Sequence, residues 1–269
     1  MADSRPRGRP RAFHDRSGQN TIQSLDRAMG LLAHLAEAPG LTLSELAQRA
    51  GQSPATVYRV LVTLEAHGIT ELDRAGQLWH VGAGAFRIGS AFLRRTQVAE
   101  RARAPMQELM RRTGETANLG IEQGDEVLFL TQVETHEAIR AFFPPGTKSP
   151  LHASGIGKAL LAWAPPERVE RLIAGGLPGF TARTLTTGAA LRANLDTIRA
   201  RGFALDDEER ADGMRCVAAP IFNAHGEPVA GLSISGPAFR LPADQAKEIG
   251  LQVARAADGV TEATGGRRP

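Results

Sequence analysis

One cysteine, Cys216, stands in 269 residues, so no disulfide can form within the chain. That fits a reducing cytoplasm, the expected location. No run of about 18 apolar residues occurs, which excludes a helix spanning a membrane. No apolar stretch follows the charges at the N-terminus, so no signal peptide is read there. No internal repeat is evident. Formal net charge is only +3, too little by itself to imply nucleic acid. Its placement says more. Arg5, Arg7, Arg9, Arg11 and Arg16 against Asp3 and Asp15 put the whole excess in residues 1–20. With 42% hydrophobic residues the chain can bury a sizeable core, and its length fits two domains.

Residues 1–20 are dominated by Pro, Gly and Arg, without a hydrophobic period, and are expected to be disordered in isolation. Arg7-Gly8-Arg9-Pro10 resembles the core of an AT-hook, in which two arginines on a thin backbone enter a narrow A·T minor groove. A non-specific arm gaining affinity through counterion release fits the same residues, as does a solubilising tail.

Residues 43–70 read as two short helices joined by a tight turn. Leu43, Leu46, Ala47 and Ala50 share one face at helical spacing. Gly51 marks the turn, Ser53 an N-cap and Pro54 the first position of the next helix. Val57, Val60, Leu61 and Leu64 form that helix's buried stripe. Ala55 and Arg59 point away from it, flanked by Thr56, Tyr58 and Thr63. A small, polar, Arg-bearing face at a helix N-terminus suits a major-groove reader. Arg59 can serve a guanine edge or a phosphate, and Thr56 and Tyr58 suit either. An ordinary helical hairpin with a solvated Arg59 is the bland alternative. Ahead of the pair, a helix from Ser24 to about Ala38 offers Leu25, Ala28, Leu32 and Leu35 as an inner stripe, with Met29 and Leu31 beside it; Thr42 or Ser44 caps the next helix. Behind the pair, ITEL and QLWHV flank Asp73-Arg74-Ala75-Gly76 as a β-hairpin, with Trp79 as a packing residue. Helix-turn-helix followed by a hairpin is a winged helix, and double-stranded DNA is its expected partner.

Residues 82–97 read as a linker helix carrying Phe86, Phe92 and Leu93, a natural dimerisation element. Val98 to Thr113 reads as a further amphipathic helix, with Pro105 near its start or at a kink. Beyond it the periods mix. Strands are expected at 116–121, 127–134, 138–143, 214–222 and 228–235, and helices at 154–163, 167–173, 191–200 and 243–257. This is an α+β pattern with an antiparallel sheet.

Three stretches there carry chemistry. In His152-Ala153-Ser154-Gly155-Ile156-Gly157-Lys158 a capping Ser154 leaves the amides of Gly155, Ile156 and Gly157 aimed outward, an anion site suited to a carboxylate. It is not a phosphate-binding P-loop, since His152 replaces the first glycine and Ala159 the Ser/Thr. A plain capped helix packed through its glycines is the alternative. Asp206-Asp207-Glu208-Glu209 suggests a hard metal at first glance, but adjacent loop carboxylates are usually solvated, and Arg215 is placed to pair with one. No metal or cofactor is expected. Ser233 and Ser235 share one strand face, so their hydroxyls need either a small polar ligand or neighbouring backbone. Cys216 reads as a small core residue. A Cys216 nucleophile with His152 as base is the enzymatic alternative, without any thiol-enzyme signature around it.

The stretches QSLDRAMGLLAHLAE, LSELAQRAG, ATVYRVLVTLEAHG, LHASGIGKALLA, LDDEER, GMRCVAAPIF and GLSISGP, in this order, resemble the IclR family of bacterial transcription regulators from about Gln23 to Ala257. The resemblance implies a multi-domain chain: a basic tail (1–20), a mainly α winged helix-turn-helix (21–81), a linker helix (82–97) and an α+β GAF-like effector domain (98–265). It also implies a homo-oligomer, dimer or tetramer, in which a small molecule alters operator binding, as repressor or activator, and no enzyme. The match is closest to the subgroup sensing glyoxylate or pyruvate. Carried over, its pocket falls on the Gly155 and Ile156 amides, Asp206, Cys216, Ser233 and Ser235, with Ala138, Ala141, Ser149 and Met214 as the apolar wall. Ala and Ser stand where bulkier wall residues are usual, and Ile156 is bulkier than usual. Pyruvate or an aromatic or sugar acid is the alternative effector.

Overall fold

The computed structural model describes residues 21–269, and of residues 93–96 only the backbone. The expectations for the tail, Arg7 and Arg9 included, lie outside the described residues. The chain forms two compact units, one ending at Phe92 and one beginning at Leu93.

In the first unit α1 (Gln23–Ala36), α2 (Leu43–Ala50) and α3 (Pro54–Ala66) precede a hairpin of β1 (Thr70–Asp73) and β2 (Leu78–Val81). The helix ends follow local chemistry. Thr42 and Glu45 form a reciprocal capping box that starts α2. Gly51 ends it at φ 60, a left-handed conformation that costs glycine little. Ser53 then accepts from the Thr56 amide, with Pro54 at the first turn of α3. Leu31, Leu35, Leu46, Val57, Leu61 and the packing residue Trp79 make the core. The stripe of α1 differs from the expected one: Leu31 and Leu35 are buried, while Leu25 and Met29 are each 59% exposed. Apolar residues occur on more than one side of α1, and its packing against α2 and β2 selects the face. The linker helix α4 (Ala83–Thr96) exposes Phe86 and half-buries Phe92; the Leu93 side chain lies outside the described residues.

The second unit opens with α5 (Val98–Thr113), which contains Pro105 in its middle. An antiparallel sheet follows: β3 (Thr116–Gln123), β4 (Glu126–Val133), β5 (Lys148–Pro150), β6 (Ala204–Asp207), β7 (Met214–Phe222) and β8 (Pro228–Pro237), in spatial order β5-β4-β3-β8-β7-β6. Between β5 and β6 lie α6 (Gly155–Leu161), α7 (Pro166–Ala174) and α8 (Gly188–Arg201); α9 (Ala246–Ala263) follows β8. Strand alternation divides the packing. Val217, Ala219, Leu232 and Ile234 join α5 and α9 in one core. On the other face Ala218 and Cys216 meet the core built on α6, α7 and α8. The helical period of 3.6 and the strand period of 2 thus aim Cys216, Ser233 and Ser235 toward α6.

Two expectations fail here. Residues 138–143 form no strand; the Phe143 amide donates to the Gln132 side chain at 2.8 Å, and the partner along β4 is β5. Asp206 and Asp207 lie on an edge strand, β6, rather than in a loop.

Candidate functional site

On α3 the residues expected to meet DNA share an exposed surface: Ser53, Ala55, Thr56, Tyr58 and Arg59 are all exposed. The Ser53 and Thr56 hydroxyls lie 2.9 Å apart, which fixes both at the helix N-terminus. Arg59 takes part in none of the ion pairs among the described residues.

In the second unit a cavity of about 330 Å³ lies between α6 and the sheet. Gly155, Ile156, Asp206, Met214, Cys216, Ser233, Ser235 and Ser149 line it, bringing together eight of the expected residues. Ala141 and Ala138 do not line it: Ala141 is buried elsewhere and Ala138 is exposed. The apolar wall comes instead from Phe129 and Phe143, stacked with centroids 4.8 Å apart. Arg210 and Ala211 also border the cavity and had no expected role; Ser154 and Arg215, expected as a helix cap and an ion-pair partner, border it too. Strand alternation in Val127-Leu128-Phe129 carried a signal for Phe129; nothing local marked Phe143.

Close approach shapes the site. A Cβ on Gly155 would lie 2.7 Å from the Cys216 sulfur, and one on Gly157 only 2.2 Å from the Leu151 carbonyl oxygen. The bulk of Ile156 packs into room left by Gly231 and Gly120. Ser154 caps α6 by accepting from the Gly157 amide at 3.0 Å, so that amide is satisfied rather than aimed outward. The Gly155 amide faces the Cys216 sulfur. The serine hydroxyls are met by a side chain rather than by backbone: Asn118 Nδ2 donates to Ser235 Oγ at 3.2 Å and to Ser233 Oγ at 3.4 Å.

The acidic run is divided among distinct partners. Asp207 takes Arg215 and Arg183, and Glu208 accepts from the Gly213 amide. Glu209 pairs with the fully buried Lys158, which also donates to the Leu205 carbonyl at 2.6 Å. Thr184 and Thr181 donate to the carbonyls of Glu209 and Glu208 at 2.6 and 2.7 Å, fixing the β6–β7 loop. Asp206 faces the cavity and accepts from the Glu209 amide at 2.8 Å. Burial pushes its carboxyl up to about 7; the Lys158 charge opposes this and the Glu209 charge adds to it.

Cys216 is not built as a nucleophile. Burial, and then the Asp206 charge, push its thiol up to about 11, against thiolate formation. His152 Nε2 lies 2.9 Å from the Pro178 carbonyl oxygen and its ring packs beside Phe180, so it is engaged away from Cys216.

Comparison with known proteins bears on both units. Residues 24–74 match the IclR helix-turn-helix domain, and residues 90–262 match the C-terminal domain of bacterial transcriptional regulators of the IclR type. BhcR of Paracoccus denitrificans, an HTH-type transcriptional regulator, is 58% identical over 241 residues, 88% of this chain and 86% of that protein. The transcriptional repressor IclR of Escherichia coli is 40% identical over 268 residues, 97% of each chain. An IclR homologue of Microbacterium hydrocarbonoxydans, solved in complex with 4-hydroxybenzoate, superposes with a TM-score of 0.79 at 27% identity, over 89% of this chain and 99% of that one. The chain belongs to the IclR family of DNA-binding bacterial transcriptional regulators, a winged helix-turn-helix joined to an α+β effector domain, and not to a family of enzymes.

Proposed function

We propose that α3 presents Ser53, Ala55, Thr56, Tyr58 and Arg59 to the major groove of operator DNA, while Arg7 and Arg9 add minor-groove or phosphate contacts. The cavity of the effector domain takes a small carboxylate, glyoxylate first among the candidates, and its occupancy alters operator affinity. The observation that carries the effector assignment is the cavity itself. Two serine hydroxyls, a thiol and a carboxyl line a space of about 330 Å³ beside the start of α6, the small end of ligand pockets. The exposed Phe86 and Ile88 of α4 support self-association as a homodimer or homotetramer.

A second reading is an aromatic acid, favoured by the stacked Phe129–Phe143 wall and by the 4-hydroxybenzoate in the Microbacterium homologue. A thermal-shift panel separates the two. A ligand that binds only the folded state raises the melting temperature. Glyoxylate, pyruvate, glycolate, oxalate, glycine and 4-hydroxybenzoate are compared at equal concentration. Stabilisation by glyoxylate above the rest supports the first reading, and stabilisation by 4-hydroxybenzoate alone replaces it with the second.

A further inference from the structure

An anion entering this cavity meets a charge already there. Asp206 on β6 is the cross-strand partner of Cys216 on β7, which is the partner of Ser235 on β8. Such partners stand on one face of the sheet with Cβ atoms about 5 Å apart. The α6 backbone crosses directly over Cys216 at Gly155. An anion lodged in the cavity over Cys216 therefore lies about one strand spacing from the Asp206 carboxyl, in the range of about 4–6 Å where two like charges suppress each other's ionisation.

The surrounding charges have their own partners, and the paired Lys158 and Glu209 act on Asp206 in opposite senses. From α6, Lys158 is paired with Glu209. From β6 and the β6–β7 loop, Asp207 and Glu208 face Arg183 and Arg215, and Arg210 lies over the Phe180 ring. From α8, Arg201 donates to the Phe203 carbonyl. From β7 comes the Cys216 thiol, and from β8 only hydroxyls. The His152 ring is bonded to Pro178. Among the described residues no cation forms an ion pair with Asp206.

We propose that a carboxylate effector enters this cavity together with one proton, taken up by Asp206, which then recognises the effector as a hydrogen-bond donor. The proposal rests on the effector assignment above and adds how the anion is tolerated. The balance is simple: ionised Asp206, the effector anion and one proton become a neutral Asp206 acid beside the bound anion, and the charge of the site is unchanged. The acid's O–H donates to an effector oxygen, while its carbonyl oxygen goes on accepting from the Glu209 amide. Burial has already brought Asp206 to about 7, so the proton is readily acquired near neutrality. Binding raises that value further. Affinity is then independent of pH below about 7 and falls about tenfold per pH unit above it.

Calorimetric titration of the full-length protein with glyoxylate at pH 6, 7, 8 and 9, each in two buffers of different ionisation enthalpy, counts the protons. Uptake approaching one proton above pH 8 and near none at pH 6 is expected, with Kd weakening about tenfold per unit above 7. Asp206→Asn, which cannot ionise, is expected to bind more tightly than the wild type at pH 9 and to lose the slope. Wild-type affinity that stays flat from pH 6 to 9, or a slope that persists in Asp206→Asn, overturns the proposal and leaves the effector assignment standing. Absence of binding by glyoxylate, pyruvate and 4-hydroxybenzoate at every pH overturns both.

Discussion

Burial of Asp206 works against the fold at neutral pH. Its folded value of about 7 lies above the ordinary 3.8, so the folded state holds this proton more tightly than the unfolded chain. The associated stability is fully present below about 4 and is lost as pH rises through 7. Asp206→Asn keeps an acceptor for the Glu209 amide and removes the ionisation. Scanning calorimetry without ligand should show its Tm raised by a few degrees at pH 8 and unraised at pH 4; equal Tm values at pH 8 would mean that the ionised carboxylate is fully compensated. Ser233 and Ser235 offer a complementary test. Replacing both by alanine removes two hydroxyls from the cavity and the acceptors of Asn118 Nδ2. Each lost hydrogen bond costs roughly 1–3 kcal/mol. Glyoxylate affinity should fall at least tenfold by calorimetry, and an unchanged Kd would remove these serines from the site. At this scale Asp206, Cys216, Ser233 and Ser235 were brought together by the family resemblance, while the local chemistry of each left a solvated carboxylate, a core thiol and backbone-bonded hydroxyls equally open. Phe129 and Phe143 were not legible, since an aromatic residue in a cavity wall has the same local signature as one in a core. The expectation for Ala141 failed together with the strand on which it was placed.

Elements with chemical signals at their ends were legible: Thr42 with Glu45, Gly51, and Ser53 with Pro54 fix α2 and α3 from within a few residues. Elements defined by distant partners were not. The edge strand β6 has four residues, and its pairing with β7 is unmarked locally. The phase of α1 likewise depends on α2 and β2. Two substitutions test what the legible elements do. Gly157→Ala places a Cβ 2.2 Å from the Leu151 carbonyl oxygen, a backbone atom with little room to yield. Overpacking of this kind costs about 1–3 kcal/mol, so denaturant unfolding should show a loss of that size; wild-type stability would mean that α6 shifts freely. Arg59→Ala removes the exposed guanidinium of α3. Loss of one base-edge contact is worth about 1–3 kcal/mol, so fluorescence anisotropy should show operator affinity weakened roughly ten- to hundredfold. Unchanged affinity would exclude Arg59 from the interface.

For the whole molecule, the surface offered to DNA and the cavity offered to the effector belong to different compact units. Regulation therefore requires a coupling free energy between two sites, and the coupling is reciprocal: an acid that changes operator affinity has its own affinity changed equally by the operator. The role proposed for residues 1–16 belongs to this scale too. Deleting residues 1–16 should lower DNA affinity and flatten the dependence of log K on log salt, because fewer counterions are released; an identical slope would show that the arm touches no phosphate. The most direct measurement is operator affinity of the full-length protein, by anisotropy at fixed salt and pH 7, across increasing glyoxylate. A saturable change in affinity of roughly 5- to 150-fold, the range typical of allosteric coupling, is expected, and it disappears when Ser233 and Ser235 are both replaced by alanine. Operator affinity unmoved by glyoxylate, at concentrations that calorimetry shows to fill the cavity, would contradict it.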